Sequence, residues 1–153
     1  MGINQLSGDF DYIIAGGGTA GCVLANRLSA DPQNKVLLIE AGPWDSNPFY
    51  RIPVMGVQLY LWNYNNWNYQ TEPEPGLKGR QITWPRGRVI GGSSSMNGMI
   101  WTRGAHSDYD RWAQSGATGS SYRDVEPVFR RIEQWDGAPD PARGADGAIH
   151  VRE

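Results

Sequence analysis

The sequence predicts an α/β fold that opens with a strand, a helix and a second strand. An apolar run over residues 10–15 leads straight into a cluster of glycines, and a second apolar run covers residues 35–40. Between the two runs, residues 20–30 carry apolar side chains at helical spacing. The second run has a continuous apolar interior, so we expect parallel strands covered on both faces. Together the three elements predict one βαβ unit of about 30 residues.

Composition narrows the class of protein. The chain has 153 residues, a net charge of −2 and one cysteine, Cys22. This length suits a single domain, and the near-neutral charge argues against a nucleic-acid-binding module. A single cysteine excludes an internal disulfide framework and any multi-cysteine metal site. The sequence shows neither a run of about 18 apolar residues nor a secretory signal, so we expect a cytoplasmic protein and no membrane partner.

The glycine cluster after the first strand carries the clearest chemical signal. Its six residues, with glycines at the first, third and sixth positions, are Gly16-Gly17-Gly18-Thr19-Ala20-Gly21. In such a turn Gly16 permits the sharp bend, Gly18 lets a pyrophosphate approach the backbone, and Gly21 lets helix and strand pack closely. The free N–H groups at the following helix N-terminus favour the same anion. The pattern predicts a dinucleotide site, and a merely structural turn is the alternative.

Two neighbouring residues refine this interpretation. Glu40 ends the second strand about 20 residues beyond the last glycine, where an acid accepts hydrogen bonds from the adenosine ribose. An acid there disfavours a 2′-phosphate, so FAD or NAD is favoured over NADP. Cys22 lies just inside the helix and is expected to be a small buried residue. A redox role is its alternative, because a helix N-terminus lowers the pKa of a thiol.

A second glycine-rich segment covers residues 87–98. It offers backbone N–H groups and small hydroxyls to an anion or a polar ring edge, whereas a flexible linker is the alternative. The surrounding residues 75–107 contain five bases and no acid. That positive field suits a phosphate-bearing ligand or a solvated basic rim. A serine hydrolase is excluded, because there is no G-x-S-x-G elbow and neither His106 nor His150 has a placed acid partner.

Elsewhere the sequence predicts fewer regular elements. Prolines and scattered aromatic residues indicate an irregular segment between residues 42 and 75. Two helices are expected over residues 108–114 and 122–134, the first capped by Ser107 and the second by Ser121. A short strand is expected over residues 148–151.

Taken together, the two glycine motifs resemble the N-terminal part of the glucose–methanol–choline (GMC) oxidoreductases, a family of FAD-dependent alcohol-oxidising enzymes. Residues 12–29 resemble the family's FAD fingerprint, and residues 87–110 resemble its first signature. The resemblance implies a Rossmann-like FAD-binding βαβ opening of a GMC-type FAD domain, incomplete in this chain. It also implies a βαβ unit over residues 9–42, an aromatic, proline-rich covering loop over 43–80, and the second FAD-binding signature with its following helices over 81–153.

The resemblance further implies a set of cofactor contacts. Thr19 and Ala20 would face the pyrophosphate, Trp67 would belong to the loop that covers the flavin, and Arg88 and Val89 would lie on the approach to the isoalloxazine. The implied positions are Gly16, Gly18, Thr19, Ala20, Gly21, Glu40, Ala41, Trp67, Arg88, Val89, Gly92, Ser93, Asn97, Gly98, Met99 and Ile100. Some members attach FAD through a histidine just before the asparagine. Met96 stands there in this chain, so we expect non-covalent FAD.

As for activity, the resemblance implies hydride transfer from a primary alcohol to flavin N5. The family's catalytic histidine lies near the end of a much longer chain, and neither His106 nor His150 matches it. We therefore expect no catalytic residue here and a second polypeptide that completes the FAD and substrate domains. The alternatives are a hydroxynitrile lyase of the same family and a non-catalytic nucleotide-binding module. No metal is expected.

Overall fold

The structure, a computed structural model, describes residues 8–152. The chain divides into two compact units, Met1–Met99 and Ile100–Glu153. Each unit is described separately below. Within residues 8–152, the helices are all too short or too polar to cross a membrane.

The first unit begins with the predicted βαβ opening. Strand β1 spans Tyr12–Ala15, helix α1 spans Thr19–Leu28, and strand β2 spans Val36–Ile39. The two strands are parallel, with Tyr12 opposite Val36 and Ala15 opposite Ile39. Helix α1 ends where the Asn34 side chain donates to the carbonyl of Leu28, at 2.9 Å. The predicted α/β fold class is confirmed, with element ends that differ by one or two residues.

This two-stranded sheet is uncovered over much of its surface. Ile14 is buried, with 8% exposure, whereas Ile13 and Ile39 are 64% and 52% exposed. On α1, Val23 and Leu24 are also half exposed. The expected cover on both faces is therefore not supplied by the described residues.

Between β2 and the second glycine segment, the chain forms short elements that the sequence did not predict. A 3₁₀ helix covers Pro48–Arg51, and helix α2 covers Met55–Leu61. Leu59 anchors α2 because its side chain is fully buried. A short antiparallel hairpin then pairs β3, Tyr69–Gln70, with β4, Thr83–Trp84. The prolines limit helix length here without preventing a two-turn helix.

The second unit contains two helices and a two-stranded parallel sheet. Its elements are α3 over His106–Gln114, α4 over Tyr122–Ile132, β5 over Glu133–Trp135 and β6 over Ile149–Val151. The predicted strand near residue 150 is confirmed by β6. The prediction that the second helix continues to residue 134 is wrong, because the chain becomes extended at Glu133.

The two predicted helix caps differ in outcome. Ser121 caps α4 and forms a capping box with Asp124, whose carboxylate accepts from the Ser121 N–H at 3.1 Å. The predicted Ser107 cap is wrong, because α3 already begins at His106 and Ala105 occupies the N-cap without a side-chain hydrogen bond.

One buried carboxylate organises the second unit. Glu133 is fully buried and forms ion pairs with Arg103 and with Arg143, the latter at 2.7 Å. It also accepts hydrogen bonds from the indole N–H of Trp101 at 3.1 Å and the backbone N–H of Gly144 at 3.1 Å. Burial raises the pKa of Glu133, but the Gly144 N–H and the two guanidinium groups lower it by more, so that the pKa lies below its ordinary value.

This depressed pKa predicts acid sensitivity. A carboxyl whose pKa is lower in the folded state stabilises the fold fully above its unfolded-state pKa, about 4.3, and loses that contribution as pH falls through the folded-state pKa. We expect the melting temperature of the protein to fall as pH drops below about 4.3, and to fall less steeply in Glu133→Gln. Thermal unfolding between neutral and acidic pH measures both, and parallel pH profiles would contradict the prediction.

Candidate functional site

The glycine turn between β1 and α1 is tightly folded. Gly16 adopts a φ of 98°, which L side chains rarely adopt. Its N–H donates to the carbonyl of Ile39 at 2.7 Å, which ties the turn to the end of β2. A β-carbon at Gly21 would overlap the carbonyl oxygen of Gly16. Glycine at position 21 therefore lets the first turn of α1 lie directly on the bend.

Glu40 holds the turn from the other side. One carboxylate oxygen accepts from the N–H of Gly17 at 2.7 Å, and the other accepts from the N–H of Gly42 at 2.8 Å. Each oxygen keeps a further lone pair for a ligand hydroxyl. The ribose contact expected of Glu40 stays a prediction, and the structure adds a second task, which is to fix the glycine turn.

This second task predicts the effect of Glu40→Gln. A glutamine amide presents an NH₂ group to one of the two backbone N–H groups, leaving a donor without its acceptor at a cost of about 1–3 kcal/mol. We expect FAD affinity to fall about tenfold or more, with little loss of helical circular dichroism. FAD titration measures the effect, with Glu126→Gln on helix α4 as the control. Unchanged affinity in Glu40→Gln would contradict the prediction.

The second glycine segment packs directly on the first. The N–H of Gly91 donates to the carbonyl of Gly17 at 2.6 Å, and Gly18 and Gly91 pair as an isolated parallel bridge. A β-carbon at Gly92 would lie 2.9 Å from the Gly18 Cα, closer than side-chain contacts allow. A 3₁₀ helix, Gly92–Ser95, follows at once. The two motifs, distant in sequence, thus form one continuous backbone surface.

That surface lines a cleft of about 720 Å³, called here the first cleft. This volume lies within the range of small-molecule and cofactor sites. Ten of the residues predicted from the sequence line it: Gly16, Gly18, Thr19, Ala20, Gly21, Glu40, Ala41, Trp67, Gly92 and Ser93. Four residues outside the predicted set complete the lining: Ala15, Ile39, Arg86 and Gly87. Of these, Arg86 belongs to the basic segment 75–107, and Gly87 begins the second glycine segment.

A smaller cleft of about 340 Å³, the second cleft, shares a wall with the first. The shared residues are Arg86, Gly87 and Ser93. The predicted residues Asn97 and Gly98 lie here beside Met96. The remaining lining residues come from α2 and the β4 end: Val57, Tyr60 and Pro85. No sequence signal pointed to α2 as a wall of the site.

Four predicted residues line neither cleft. Val89 is fully buried, and Met99 is 54% exposed with a φ of 53°. The Arg88 guanidinium lies over the Trp67 ring, with 5.6 Å between the guanidinium carbon and the ring centre. Ile100 belongs to the second unit. Their expected contacts with the cofactor stay predictions.

The first cleft fits a dinucleotide. Gly18 lines it, yet a β-carbon at Gly18 would meet no atom within 4 Å, so the backbone there is open to a ligand. Helix α1 begins at Thr19 without a side-chain cap, which leaves its first N–H groups available to an anion. In residues 8–152, no cluster of three or more potential metal ligands is present.

The cysteine and the two histidines line neither cleft. The Cys22 thiol donates to the carbonyl of Gly17 at 3.2 Å and so supports the turn. His106 stacks on Tyr122, with 3.4 Å between ring centres. The statement that neither histidine has an acid partner is wrong for His150, because its Nδ1 lies 3.3 Å from an oxygen of Asp136. Both groups of that pair are exposed.

A glycine turn at a helix N-terminus, an acid at the end of the next strand and the first cleft beside them are the features of a dinucleotide-binding βαβ unit of the Rossmann type. The chain belongs to the GMC oxidoreductase family, whose model matches residues 10–153. The cofactor predicted from the sequence, FAD, is confirmed as that of the family.

Individual relatives and solved structures support this family assignment. The chain is 51% identical over 142 residues to an oxygen-dependent choline dehydrogenase of Sinorhizobium fredii, covering 93% of this chain and 26% of the relative. The solved pyridoxine 4-oxidase from Mesorbium loti matches with a TM-score of 0.83 and 39% identity, over 93% of this chain and 28% of that one. A formate oxidase of Aspergillus oryzae, described for modification of its FAD, matches with a TM-score of 0.81 and 29% identity, over 94% of this chain and 26% of that one. The chain thus spans about a quarter of the curated relatives' length.

Proposed function

We propose that this chain is the FAD-binding part of a flavin-dependent alcohol oxidase or dehydrogenase that acts on a primary CH–OH group. The observation that carries the proposal is the first cleft, in which both glycine motifs meet and Gly18 leaves the backbone open. The residues of the first cleft would hold FAD, and a bound FAD would supply the hydride acceptor for the alcohol. The chain's own residues bind and orient the cofactor.

Within the first cleft, the backbone carries most of the binding. The turn Gly16–Gly21 and the N-terminus of α1 present N–H groups to the pyrophosphate. Glu40 offers its remaining lone pairs to the adenosine ribose, with Ala41 beside it. Gly92 and Ser93, which belong to the second glycine motif, complete the wall of the first cleft.

The second cleft suits the flavin end of the cofactor. It combines apolar walls from Val57 and Tyr60 with polar groups on Ser93 and Asn97, a mixture typical of ring-binding pockets. Met96 lines this cleft, and a thioether forms no histidyl bond to a flavin. The flavin is therefore held non-covalently.

The proton-accepting base and most of the substrate pocket lie outside the described residues. Two observations support this. The relatives carry the matching segment within a chain about four times as long. The exposed apolar side chains of β1 and α1 also call for further polypeptide to cover them. A second polypeptide, or a continuation of the same one, supplies that cover, and "the assembled protein" below means this chain together with it.

Anaerobic reduction of the assembled protein tests the function. We expect a flavin spectrum, full release of FAD on acid denaturation, and bleaching by a primary alcohol, with choline the first candidate and pyridoxine the second because relatives are named for them. Peroxide formation in air separates oxidase from dehydrogenase. An assembled protein without flavin would overturn the proposal and favour a different nucleotide module. Bound flavin that no alcohol bleaches would overturn the redox role and favour the lyase.

A further inference from the structure

Arg86 occupies a distinctive place between the two clefts. Among the described residues that line the first cleft, Arg86 is the one cationic side chain, and it is the one charged side chain lining the second. The GMC resemblance drew attention instead to Arg88, which lies over Trp67 and lines neither cleft. The charge of Arg86 thus has no assigned role in the site.

The backbone of Arg86 is firmly held. Its N–H donates to the side-chain oxygen of Asn66 at 2.9 Å, and its carbonyl accepts from the N–H of Trp67 at 2.9 Å. Asn66 is itself buried, with 8% exposure, and pairs with Gly87 as an antiparallel bridge. The Arg86 side chain therefore starts from a fixed point at the wall shared by the clefts.

The guanidinium is positioned but largely unused. Its carbon lies 5.2 Å from the centre of the Trp84 ring, a distance at which a cation–π contact orients the planar group. One nitrogen, Nη1, donates to the carbonyl of Pro85 at 2.6 Å. A guanidinium has five N–H donors, and within residues 8–152 no carboxylate forms a salt bridge with Arg86. Donors therefore remain for a ligand.

Local charge points to an anionic ligand. Residues 75–99 carry four bases and no acid. The acid that lines the first cleft is Glu40, and each of its carboxylate oxygens already accepts a hydrogen bond from a backbone N–H group. We propose that Arg86 binds the pyrophosphate of the dinucleotide, with the planar fork that suits phosphate oxygens. This inference rests on the proposed FAD binding.

Ligands that carry different parts of FAD test the assignment. The assembled protein, freed of flavin, is titrated with FAD, ADP, adenosine and riboflavin. In Arg86→Gln we expect the Kd for FAD and for ADP to rise about 10- to 100-fold, as for loss of a hydrogen bond to a charged group. Adenosine and riboflavin, which lack the pyrophosphate, should bind as to the wild type.

Two further variants keep the test decisive. Arg80→Gln removes a charge from the same acid-free segment outside both clefts, and it should leave every Kd unchanged. Arg86→Lys keeps the charge without the fork, and it should give an intermediate loss for FAD and ADP that diminishes at high salt. If Arg86→Gln lowers the melting temperature, Arg86→Lys alone is compared with the wild type.

The outcomes separate the two proposals. Wild-type affinity for FAD and ADP in the Arg86 variants would overturn the inference and leave FAD binding intact. A loss confined to riboflavin would also overturn it, because the side chain would then act on the ring system. Arg86-dependent binding of ADP by a protein that takes no FAD would support the inference and overturn the proposed function.

Discussion

Replacing Gly21 with alanine is expected to destabilise the assembled protein by about 2–3 kcal/mol. The added β-carbon would overlap the carbonyl oxygen of Gly16 and would lie 3.1 Å from its carbonyl carbon. Both atoms are backbone, so the clash is relieved only when α1 moves away from the bend or Gly16 loses its bond to Ile39. Thermal unfolding measures the loss, and we expect FAD to dissociate at the same time.

Gly18→Ala is the matched control for this change. The same methyl group at Gly18 would meet no atom within 4 Å, and the φ of −75° there suits any residue. We expect the flavin-free protein to keep its stability within about 0.5 kcal/mol, as for substitutions away from packed sites. FAD affinity should nevertheless fall, because the methyl group would occupy the part of the first cleft where the pyrophosphate approaches the backbone. A wild-type melting temperature in Gly21→Ala, or wild-type FAD affinity in Gly18→Ala, would contradict this division of roles.

Removing the carboxylate of Glu133 is expected to have the other large effect. Glu133→Ala would leave the guanidinium groups of Arg103 and Arg143 without their buried partner. Breaking a buried ion pair in this way costs about 3–5 kcal/mol. The indole N–H of Trp101 would lose its acceptor as well. We expect the second unit to unfold at a much lower denaturant concentration, as followed by tryptophan fluorescence.

Asp136→Asn supplies the comparison. Asp136 lies in the same region and pairs with His150 at 3.3 Å, but both side chains are exposed. Exposed pairs contribute about 0–1 kcal/mol. Equal losses in Glu133→Ala and Asp136→Asn would show that burial does not set the strength of the Glu133 network.

The sequence predicted the βαβ opening well because its signals are local. The glycines of the turn and the apolar runs on either side place β1, α1 and β2 within a couple of residues of their true ends. The Ser121 cap succeeded for the same reason, since its partner Asp124 lies one helical turn away. Local rules failed at Glu133, where a helical pattern continues in sequence but parallel pairing with Ile149 draws the chain into a strand.

The parts of the site that the sequence did not predict depend on contacts between residues that are far apart in the sequence. Helix α2 lines the second cleft although prolines surround it, because burial of Leu59 stabilises it. Arg86 reaches both clefts because pairing between Asn66 and Gly87 fixes its backbone. Neither the burial of Leu59 nor the pairing of Asn66 with Gly87 leaves a periodic pattern in the sequence. The motif glycines, by contrast, were found at once because close backbone packing tolerates few other residues.

The hydrogen bond between Gly91 and Gly17 has a consequence for how such enzymes diverge and are recombined. It joins two motifs that lie far apart in the sequence, so the glycine backbones of both motifs must fit each other for the hydrogen bond to form. The two glycine motifs therefore act as one structural part. In a chimera of two relatives, a crossover pair that exchanges residues 43–85 and takes both motifs from one parent should keep the Gly17–Gly91 hydrogen bond, whereas the cleft walls formed by Val57, Tyr60 and Trp67 would come from the other parent. A single crossover between the motifs would instead combine glycine motifs from two different parents, and we expect their backbones to pack less closely.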